Sequence, residues 1–360
     1  MLRAILLVLM ISLVAPYNSK ASYTQKVDSE GIVVEFIGKN YVTNYTDSVV
    51  FKVNLTNKST GEPIGGVNVS FYIVISGQKQ FIGVNKTTSN GLALFRIESV
   101  SYSPGRYYVN ASATYKGYYS EAKAEFIINK ETTQITLLTY PSVEYSDSLM
   151  LEARLTTDDD EKISNVKLEL NFLGEVSMTL KATTDNNGVA KFNISTVSEG
   201  VDIFTTGLYN FIISFAGNDN YFGSSIKDTL NVSEEEMAIY VSTIGKLVVG
   251  SSIVMVIKVR DNDNTPVQFA EIRIFINDQI VGVGRTDSEG IYEFTWTPNN
   301  GGKHNIKIVA LKENYLNASY EFTLDIEEEG GEGGGGSLLL VVLAFLIIAV
   351  IVAVISRRRF

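Results

Sequence analysis

The chain of 360 residues contains no cysteine and a single histidine, His304. Without cysteine, disulfides and thiolate zinc sites are excluded. One histidine leaves few groups for acid–base or metal chemistry near neutral pH, and the neighbouring Gly301-Gly302 predicts that His304 is a solvated loop residue. Basic charge is also scarce: the net charge is −10 and the pI is near 4.9. A protein that binds nucleic acid needs a basic surface to pair with the phosphates. We therefore predict no enzyme active site, no cofactor and no nucleic-acid partner.

The N-terminus carries a short apolar segment. Residues 4–15 are apolar and follow one arginine, Arg3. At helical rise they span about 18 Å, well short of a hydrocarbon core of about 30 Å. This pattern is typical of a secretory signal peptide over residues 1–21, with cleavage after Ala21. An uncleaved N-terminal anchor is the alternative.

The C-terminus carries a longer apolar segment. Residues 338–355 have no charge and precede Arg357, Arg358 and Arg359. They span about 27 Å as a helix, enough to cross a bilayer, and arginines are strongly disfavoured inside it. We predict a transmembrane helix over 338–356 and a basic cytoplasmic tail over 357–360. The glycine-rich residues 328–337 are typical of a flexible tether. A processed sorting signal is the alternative for the apolar segment.

The middle of the chain repeats itself with a period near 100 residues. "YTDSVVF" begins at Tyr45 and "YSDSLML" at Tyr145, a separation of 145 − 45 = 100, and a weaker copy, "VGSSIVM", begins at Val249. Each copy also has one turn glycine in a matching motif: Gly91, Gly188 and Gly290. A period of this length matches a complete domain.

Within each copy the hydrophobic period is two. Phe51, Val53 and Leu55 alternate with polar residues, which predicts a strand with one buried face. By the same phase Trp296 occupies an inward position. Short alternating segments with frequent turns, and no long amphipathic helix, predict an all-β fold of three tandem β-sandwiches over residues 30–130, 131–233 and 236–327.

Two motifs carry a resemblance to a known group. Residues 61–71 read "GEPIGGVNVSF" and residues 184–192 read "TDNNGVAKF". Over residues 31–326 the pattern resembles the Ig-like repeats of bacterial and archaeal surface proteins, the invasin/intimin-type group. The resemblance implies tandem Ig-like domains on the surface of a bacterial or archaeal cell, and we expect an archaeal source. Such modules serve as stalks, adhesins and enzyme appendages, so it does not assign a function.

The run "VRDNDNTPVQF", residues 259–269, raises the question of calcium. Residues 262–269 resemble the linker of cadherin adhesion domains, where carboxylates hold calcium between successive domains. Here the run lies about 25 residues inside the third repeat and not at a junction, which favours an ordinary polar turn. Acidic loops still offer hard oxygen ligands, with solvated turn charge as the alternative. The candidate calcium ligands are Asp158, Asp159, Asp160, Asp261 and Asp263.

Two surface features remain. The glycosylation motif N-x-[ST] occurs nine times, and several of these asparagines take the outward phase of predicted strands. They are Asn44, Asn54, Asn57, Asn68, Asn85, Asn110, Asn193, Asn231 and Asn317. Four tyrosines near one another in sequence are the candidates for an exposed aromatic patch, with Tyr107 inward and Tyr108 outward by phase: Tyr107, Tyr108, Tyr118 and Tyr119.

These features together predict a single-pass membrane protein with an extracellular N-terminal ectodomain and a cytoplasmic C-terminus. We expect a stalk or structural protein of the cell envelope with a glycosylated outer domain, such as an anchor associated with a surface lattice. Its partners would be the membrane and other envelope or surface proteins. The alternative is an adhesin, or a ligand-binding subunit of a transporter or secreted enzyme complex.

Overall fold

The structure, a computed structural model, describes residues 30–174 and 176–328. The predicted signal peptide at 1–21, the transmembrane helix at 338–356 and the basic tail at 357–360 lie outside these residues. The predicted tether at 328–337 also lies outside them, except for Glu328. In the described part of the chain, no helix is long and apolar enough to cross a membrane. The described residues form an all-β fold, as predicted.

The chain divides into two compact units. The first is Met1–Glu131 with Asp219–Tyr221, and the second is Thr132–Asn218 with Phe222–Phe360. In the described residues the first unit contains one β-sandwich, and the second contains two. We refer to them in chain order as the first, second and third sandwich. The boundaries of the three domains stay a prediction.

The first sandwich has a three-stranded sheet and a five-stranded sheet. Their orders are β1-β3-β6 and β2-β8-β7-β4-β5. All neighbours are antiparallel except β2 and β8, which are parallel. The strands are β1 (Ile32–Phe36), β2 (Asn40–Asn44), β3 (Val49–Asn57), β4 (Asn68–Ile75), β5 (Gln78–Lys86), β6 (Leu92–Ile97), β7 (Gly105–Tyr115) and β8 (Tyr118–Asn129).

The predicted alternation fills the core of this sandwich. Phe51, Val53 and Leu55 on β3 are fully buried, and the Phe51 ring meets Phe126 of the opposite sheet at 5.2 Å in a T-shaped contact. Burial of one face of each sheet against the other is the main force that holds a sandwich together. The period-two reading of these segments is confirmed.

The second sandwich repeats the same strand order. Its sheets are β14-β11-β9 and β10-β18-β17-β12-β13, with β10 parallel to β18 and a small hairpin of β15 and β16 beside them. The strands are β9 (Thr133–Leu137), β10 (Ser142–Glu144), β11 (Ser148–Thr157), β12 (Lys167–Phe172), β13 (Thr179–Thr183), β14 (Val189–Ser195), β15 (Val197–Ser198), β16 (Val201–Asp202), β17 (Gly207–Phe215) and β18 (Ser224–Ser233).

The third sandwich has sheets of three and four strands. Their orders are β19-β20-β23 and β22-β21-β24-β25. A single bridge between Val248 and Glu327 takes the place of the parallel strand pair. The order of strands in the two sheets is that of an Ig-like sandwich. The strands are β19 (Met237–Ile244), β20 (Ile253–Asp261), β21 (Glu271–Ile276), β22 (Gln279–Arg285), β23 (Ile291–Trp296), β24 (Gly302–Leu311) and β25 (Ala318–Ile326).

The three copies match down to single turns. The predicted turn glycines Gly91, Gly188 and Gly290 have φ angles of 73°, 73° and 70°. A Cβ atom on any of them would lie 2.5–2.6 Å from a backbone carbonyl oxygen of the same sandwich, on β3, β11 and β20 respectively. A side chain fits neither the backbone angle nor the space, so these turns require glycine.

The prediction for His304 is wrong. His304 lies on β24 and is only 4% exposed. Its ring nitrogens lie 3.2 Å from Asn277 Nδ2 and 3.1 Å from the Asn300 carbonyl oxygen, and the ring packs 5.1 Å from that of the half-buried Trp296. The alternation of β24 places His304 inward, and the glycines beside it begin the strand instead of extending a loop.

Candidate metal centre

A three-residue linker joins the second and third sandwiches and is pinned at its middle residue, Glu235. β18 ends at Ser233 and β19 begins at Met237. The Glu235 N–H donates to the Asn314 carbonyl oxygen at 3.0 Å, and the Leu316 N–H donates to the Glu235 carbonyl oxygen at 2.9 Å. These bonds fix the backbone of the linker on the third sandwich.

The loop that receives the linker also contacts the second sandwich. The ring of Tyr315, which is 7% exposed, meets the ring of Tyr145 at 5.5 Å in a T-shaped contact. Asn314 Oδ1 accepts hydrogen bonds from Thr206 N at 3.0 Å and from Thr206 Oγ1 at 3.1 Å. The two sandwiches of the second unit therefore meet through specific side-chain contacts as well as through the linker.

Three carboxylates converge at this junction. Glu144 ends β10, Asp147 follows it in a turn in which Ser146 has a φ of 73°, and Glu235 comes from the linker. One carboxylate oxygen of each lies within 4.8 Å of the others. The tight turn brings Glu144 and Asp147 to the same end of the second sandwich, and the pinned linker adds Glu235.

The Glu235 side chain is buried without a hydrogen-bond partner. The residue is 1% exposed, and neither carboxylate oxygen accepts a hydrogen bond. Burial raises the pKa of Glu235 to about 7, and repulsion from Glu144, Asp147 and Asp261 adds to the rise. The nearby backbone amide of Asn262 opposes it only partly. A buried carboxylate that lacks a partner is rare and unfavourable.

The loop between β20 and β21 adds polar groups from the third sandwich. Burial raises the pKa of Asp147 to about 6, and the neighbouring Asp263, which shares a hydrogen bond with it, raises it further. Asn262 Nδ2 donates to Glu144 Oε2 at 2.9 Å. Glu144, Asp147, Asn262 and Asp263 line an open groove of about 560 Å³. The site can therefore take a small cation with oxygen ligands and still admit water.

The five predicted calcium ligands fall into two groups. Asp263 belongs to the junction, and the buried Asp261 lies beside it and accepts from Thr265 N at 2.6 Å. The other three, Asp158, Asp159 and Asp160, lie in the exposed loop after β11, and the last two hydrogen-bond to nearby protein groups. For example, Asp159 accepts from the Thr157 hydroxyl group, and Asp160 from Gln134 Nε2 at 3.3 Å.

The position of the "VRDNDNTPVQF" run was predicted correctly, and Asp261, Asn264 and Thr265 form the predicted polar turn, but the inference that the run lies away from any junction was wrong. Residues 262–270 do form the loop between the second and third strands of the third sandwich. That loop nevertheless reaches the preceding sandwich, as the bond from Asn262 to Glu144 shows. A loop inside a sandwich can lie at the end that faces its neighbour, so its place in the repeat does not exclude a junction.

Sequence reasoning missed three residues of the site: Glu144, Asp147 and Glu235. Asp147 was part of the repeat marker "YSDSLML", and Glu235 was the middle of the "EEE" run at the junction. The signal that was available is the residue before the marker, which changes from Asn44 in the first copy to Glu144 in the second, together with the run of three glutamates in the linker. In the third copy the marker reads "VGSSIVM" and has no carboxylate.

The glycosylation motifs differ in accessibility. Asn68, Asn193 and Asn317 are exposed. Asn110 takes the outward phase of β7 as predicted, but it is only 6% exposed and its side-chain amide donates to Glu121. Side chains from neighbouring strands cover it, so this motif is not accessible. The remaining motifs are exposed or half-buried: Asn44, Asn54, Asn57, Asn85 and Asn231.

The four candidate tyrosines do not form one patch. Tyr107 points inward as predicted, and its hydroxyl donates to the Ser103 carbonyl oxygen at 2.7 Å. Tyr108 is exposed beneath Lys123 Nζ, which lies 3.6 Å from the ring centroid. Tyr119 pairs with a position six residues further along β7, about 20 Å away at strand rise.

The fourth tyrosine and the surroundings of Tyr119 are polar. The Tyr118 hydroxyl donates to Glu30 Oε2 at 2.8 Å, and the Tyr119 hydroxyl donates to Glu121 Oε2 at 2.5 Å. Lys79, followed by Tyr119, lowers the pKa of the Glu121 carboxyl to about 2. Tyr119 therefore belongs to a charged network, which does not resemble an apolar binding surface.

The comparisons give a likeness in fold only. No known sequence family matches the chain, and no curated protein matches it. The bacterial integrin-binding protein invasin is 14% identical over 82% of this chain and 60% of its own, with a TM-score of 0.39. A tetra-tandem repeat from the extending region of a large adhesion protein is 14% identical over 82% and 74%, with a TM-score of 0.29.

A further solved structure, an I-band fragment of titin, is 12% identical over 82% of this chain and 99% of its own, with a TM-score of 0.29. At these identities and scores the similarities carry no argument about activity or partners. The assignment of tandem Ig-like sandwiches rests on the strand order described above.

Proposed function

We propose that this chain is a structural protein of the cell surface, a stalk of Ig-like sandwiches tied to the membrane through residues 338–356. The observation that supports it best is the junction in the second unit. Its linker has three residues, and its middle residue is hydrogen-bonded to Asn314 and Leu316. A linker of this kind holds two domains in one orientation, which suits a spacer and would hinder a pair of domains that must close around a ligand.

The buried cores and the scattered tyrosines support the same proposal. Each sandwich buries its alternating apolar side chains, and the four candidate tyrosines do not gather into one binding surface. The outermost sandwich would carry glycans at accessible motifs such as Asn68 and present the contact surface to other envelope proteins. Other envelope proteins are the proposed partners, and an archaeal cell is the proposed source.

Deletion of residues 338–360 should release the chain from the membrane. The full chain is expected to stay in the membrane fraction through washes with high salt and alkaline carbonate, because an apolar helix is not extracted by either. The truncated chain should appear in the medium. Fractionation followed by immunoblotting measures the location of the full and the truncated chain. The glycans are tested separately: the intact mass of the extracted full chain should exceed that of the processed polypeptide by the mass of one or more glycans.

Deletion of residues 329–337 is the matched control, since it removes a hydrophilic segment next to the apolar one. This variant should remain in the membrane fraction. Retention of the chain that lacks 338–360 would contradict the anchor, and release of the control would show that the apolar segment alone does not hold the protein.

A further inference from the structure

We propose that Glu144, Asp147 and Glu235 bind one calcium ion, which joins the second and third sandwiches. One oxygen of each side chain lies within 4.8 Å of the others. Calcium bonds to oxygen at about 2.3–2.6 Å, so two ligands on one ion stand up to about 5 Å apart. The three oxygens thus already have the spacing of ligands around a single ion.

The state of Glu235 points to a ligand independently of that spacing. The side chain is 1% exposed and both its oxygens lack a hydrogen-bond partner. Its backbone is held by hydrogen bonds to Asn314 and Leu316, so the buried carboxylate stays at the junction. A fixed, buried carboxylate that faces two others needs a counter-charge more than it needs a neutral donor.

Protein cations do not supply that charge. None of the ion pairs in the described residues includes Glu144, Asp147, Glu235, Asp261 or Asp263. Lys312 interacts with Asp202 and Asp261, and its Nζ lies 4.9 Å from the centre of the Tyr315 ring. A divalent ion would offset the mutual repulsion of the carboxylates.

The ligand chemistry favours calcium over other metals. All the candidate ligand atoms are oxygens, which excludes a site typical of zinc or copper. Asp263 lies beside Asp147, and Asn262 beside Glu144, so further oxygen ligands are at hand on the third sandwich. Calcium accepts six to eight ligands in irregular geometry and tolerates water, whereas magnesium requires a near-ideal octahedron. The open groove therefore suits calcium better than magnesium.

The ion would connect three parts of the second unit. Glu144 and Asp147 belong to the second sandwich, Glu235 to the linker, and Asp263 to the third sandwich. Calcium would therefore tighten the junction, and its removal would leave the carboxylates to repel one another. This inference concerns the junction alone and does not depend on the membrane anchor or on a surface location.

The test uses the full chain, purified in detergent and stripped of metal with a chelator. Calcium chloride is titrated in by isothermal calorimetry at constant ionic strength, and a parallel titration uses magnesium chloride. We expect saturable binding at the junction, with a Kd of about 1 mM or tighter, as in extracellular calcium modules. Hydrogen–deuterium exchange should show protection at residues 142–149, 233–236 and 261–265 on addition of calcium.

Two variants locate the ion. Glu235→Gln and Asp147→Asn each remove one charged ligand while keeping the shape of the side chain, and each should weaken calcium binding at least about tenfold. Asp159→Asn removes one charge from the exposed acidic loop and is the matched control. It should bind calcium at the junction as the unaltered chain does. The two junction variants together guard against misfolding of either one.

Four results would overturn the assignment. The first is no saturable calcium binding up to about 10 mM, which is far above the range of extracellular modules. The second is an unchanged calcium affinity in both junction variants, and the third is an equal loss of calcium affinity in Asp159→Asn. The fourth is protection from hydrogen exchange by magnesium that equals the protection by calcium. Equal loss in the control would mean general screening of acidic charge. Loss of calcium binding with normal membrane retention would leave the proposed surface function unaffected.

Discussion

Gly91→Ala is expected to destabilise the first sandwich by about 2–4 kcal/mol. A left-handed backbone angle costs a residue with a Cβ about 1 kcal/mol, and Gly91 has a φ of 73°. The larger cost is steric, because the new Cβ would lie 2.5 Å from the Leu55 carbonyl oxygen and 3.0 Å from Pro63 Cβ. The Gly91 carbonyl oxygen accepts a hydrogen bond from Leu55 N, so the turn cannot retreat without losing that bond.

Gly77→Ala is the matched control for Gly91→Ala. Gly77 lies in the same sandwich with a φ of 78°, but nothing lies within 4 Å of the Cβ it would gain. Gly77→Ala should therefore lower the stability only by the cost of the left-handed backbone angle, about 1 kcal/mol. Native-state hydrogen exchange of strands β3 and β6 in the full chain measures both free energies of opening. Equal losses for the two variants would show that the contact with Leu55 does not matter.

Tyr315→Ala is expected to loosen the junction between the second and third sandwiches at a cost of about 3–5 kcal/mol, the usual range for loss of a buried aromatic side chain. The Tyr315 ring is buried against Tyr145, and its backbone forms a bridge with Glu235. Loss of the ring should leave both cores folded but free the linker. Hydrogen exchange at residues 234–236 and 312–316 should then speed up by at least about a hundredfold.

Tyr240→Ala provides the comparison for Tyr315→Ala. Tyr240 belongs to the third sandwich but is 48% exposed on β19. It should change stability by about 0.5 kcal/mol or less, as surface substitutions usually do. If both variants leave exchange in the linker unchanged, the Tyr315 contact does not hold the junction. A fixed orientation between the two sandwiches would then need another cause.

The strands could be predicted from the sequence because each depends on local alternation. Phe51, Val53 and Leu55 are buried as their period of two requires, and the turn glycines have the left-handed angles that glycine permits. The prediction failed where the surroundings decide exposure. His304 was placed by its glycine neighbours and Asn110 by its phase, but one is buried in a strand and the other is covered by side chains from adjacent strands.

The candidate metal centre could be predicted only in part. Asp261 and Asp263 were found because acidic residues are dense in one loop. Glu144 and Asn262 are 118 residues apart, and the contact between them depends on how two sandwiches meet. No local period encodes that arrangement. The residue before the repeat marker is Asn44 in the first copy and Glu144 in the second, and this difference becomes a signal only once the junction is known.

The parallel strand pairs have a mechanical consequence. In the first and second sandwiches a strand near the N-terminal end runs parallel to the last strand, β2 beside β8 and β10 beside β18. Tension on the chain ends slides such strands past each other, so their hydrogen bonds share the force instead of breaking in turn. The third sandwich has only the bridge from Val248 to Glu327 at this place. When the chain is pulled in an optical trap, the third sandwich should unfold at the lowest force. Its extension would then limit the force on the first and second sandwiches.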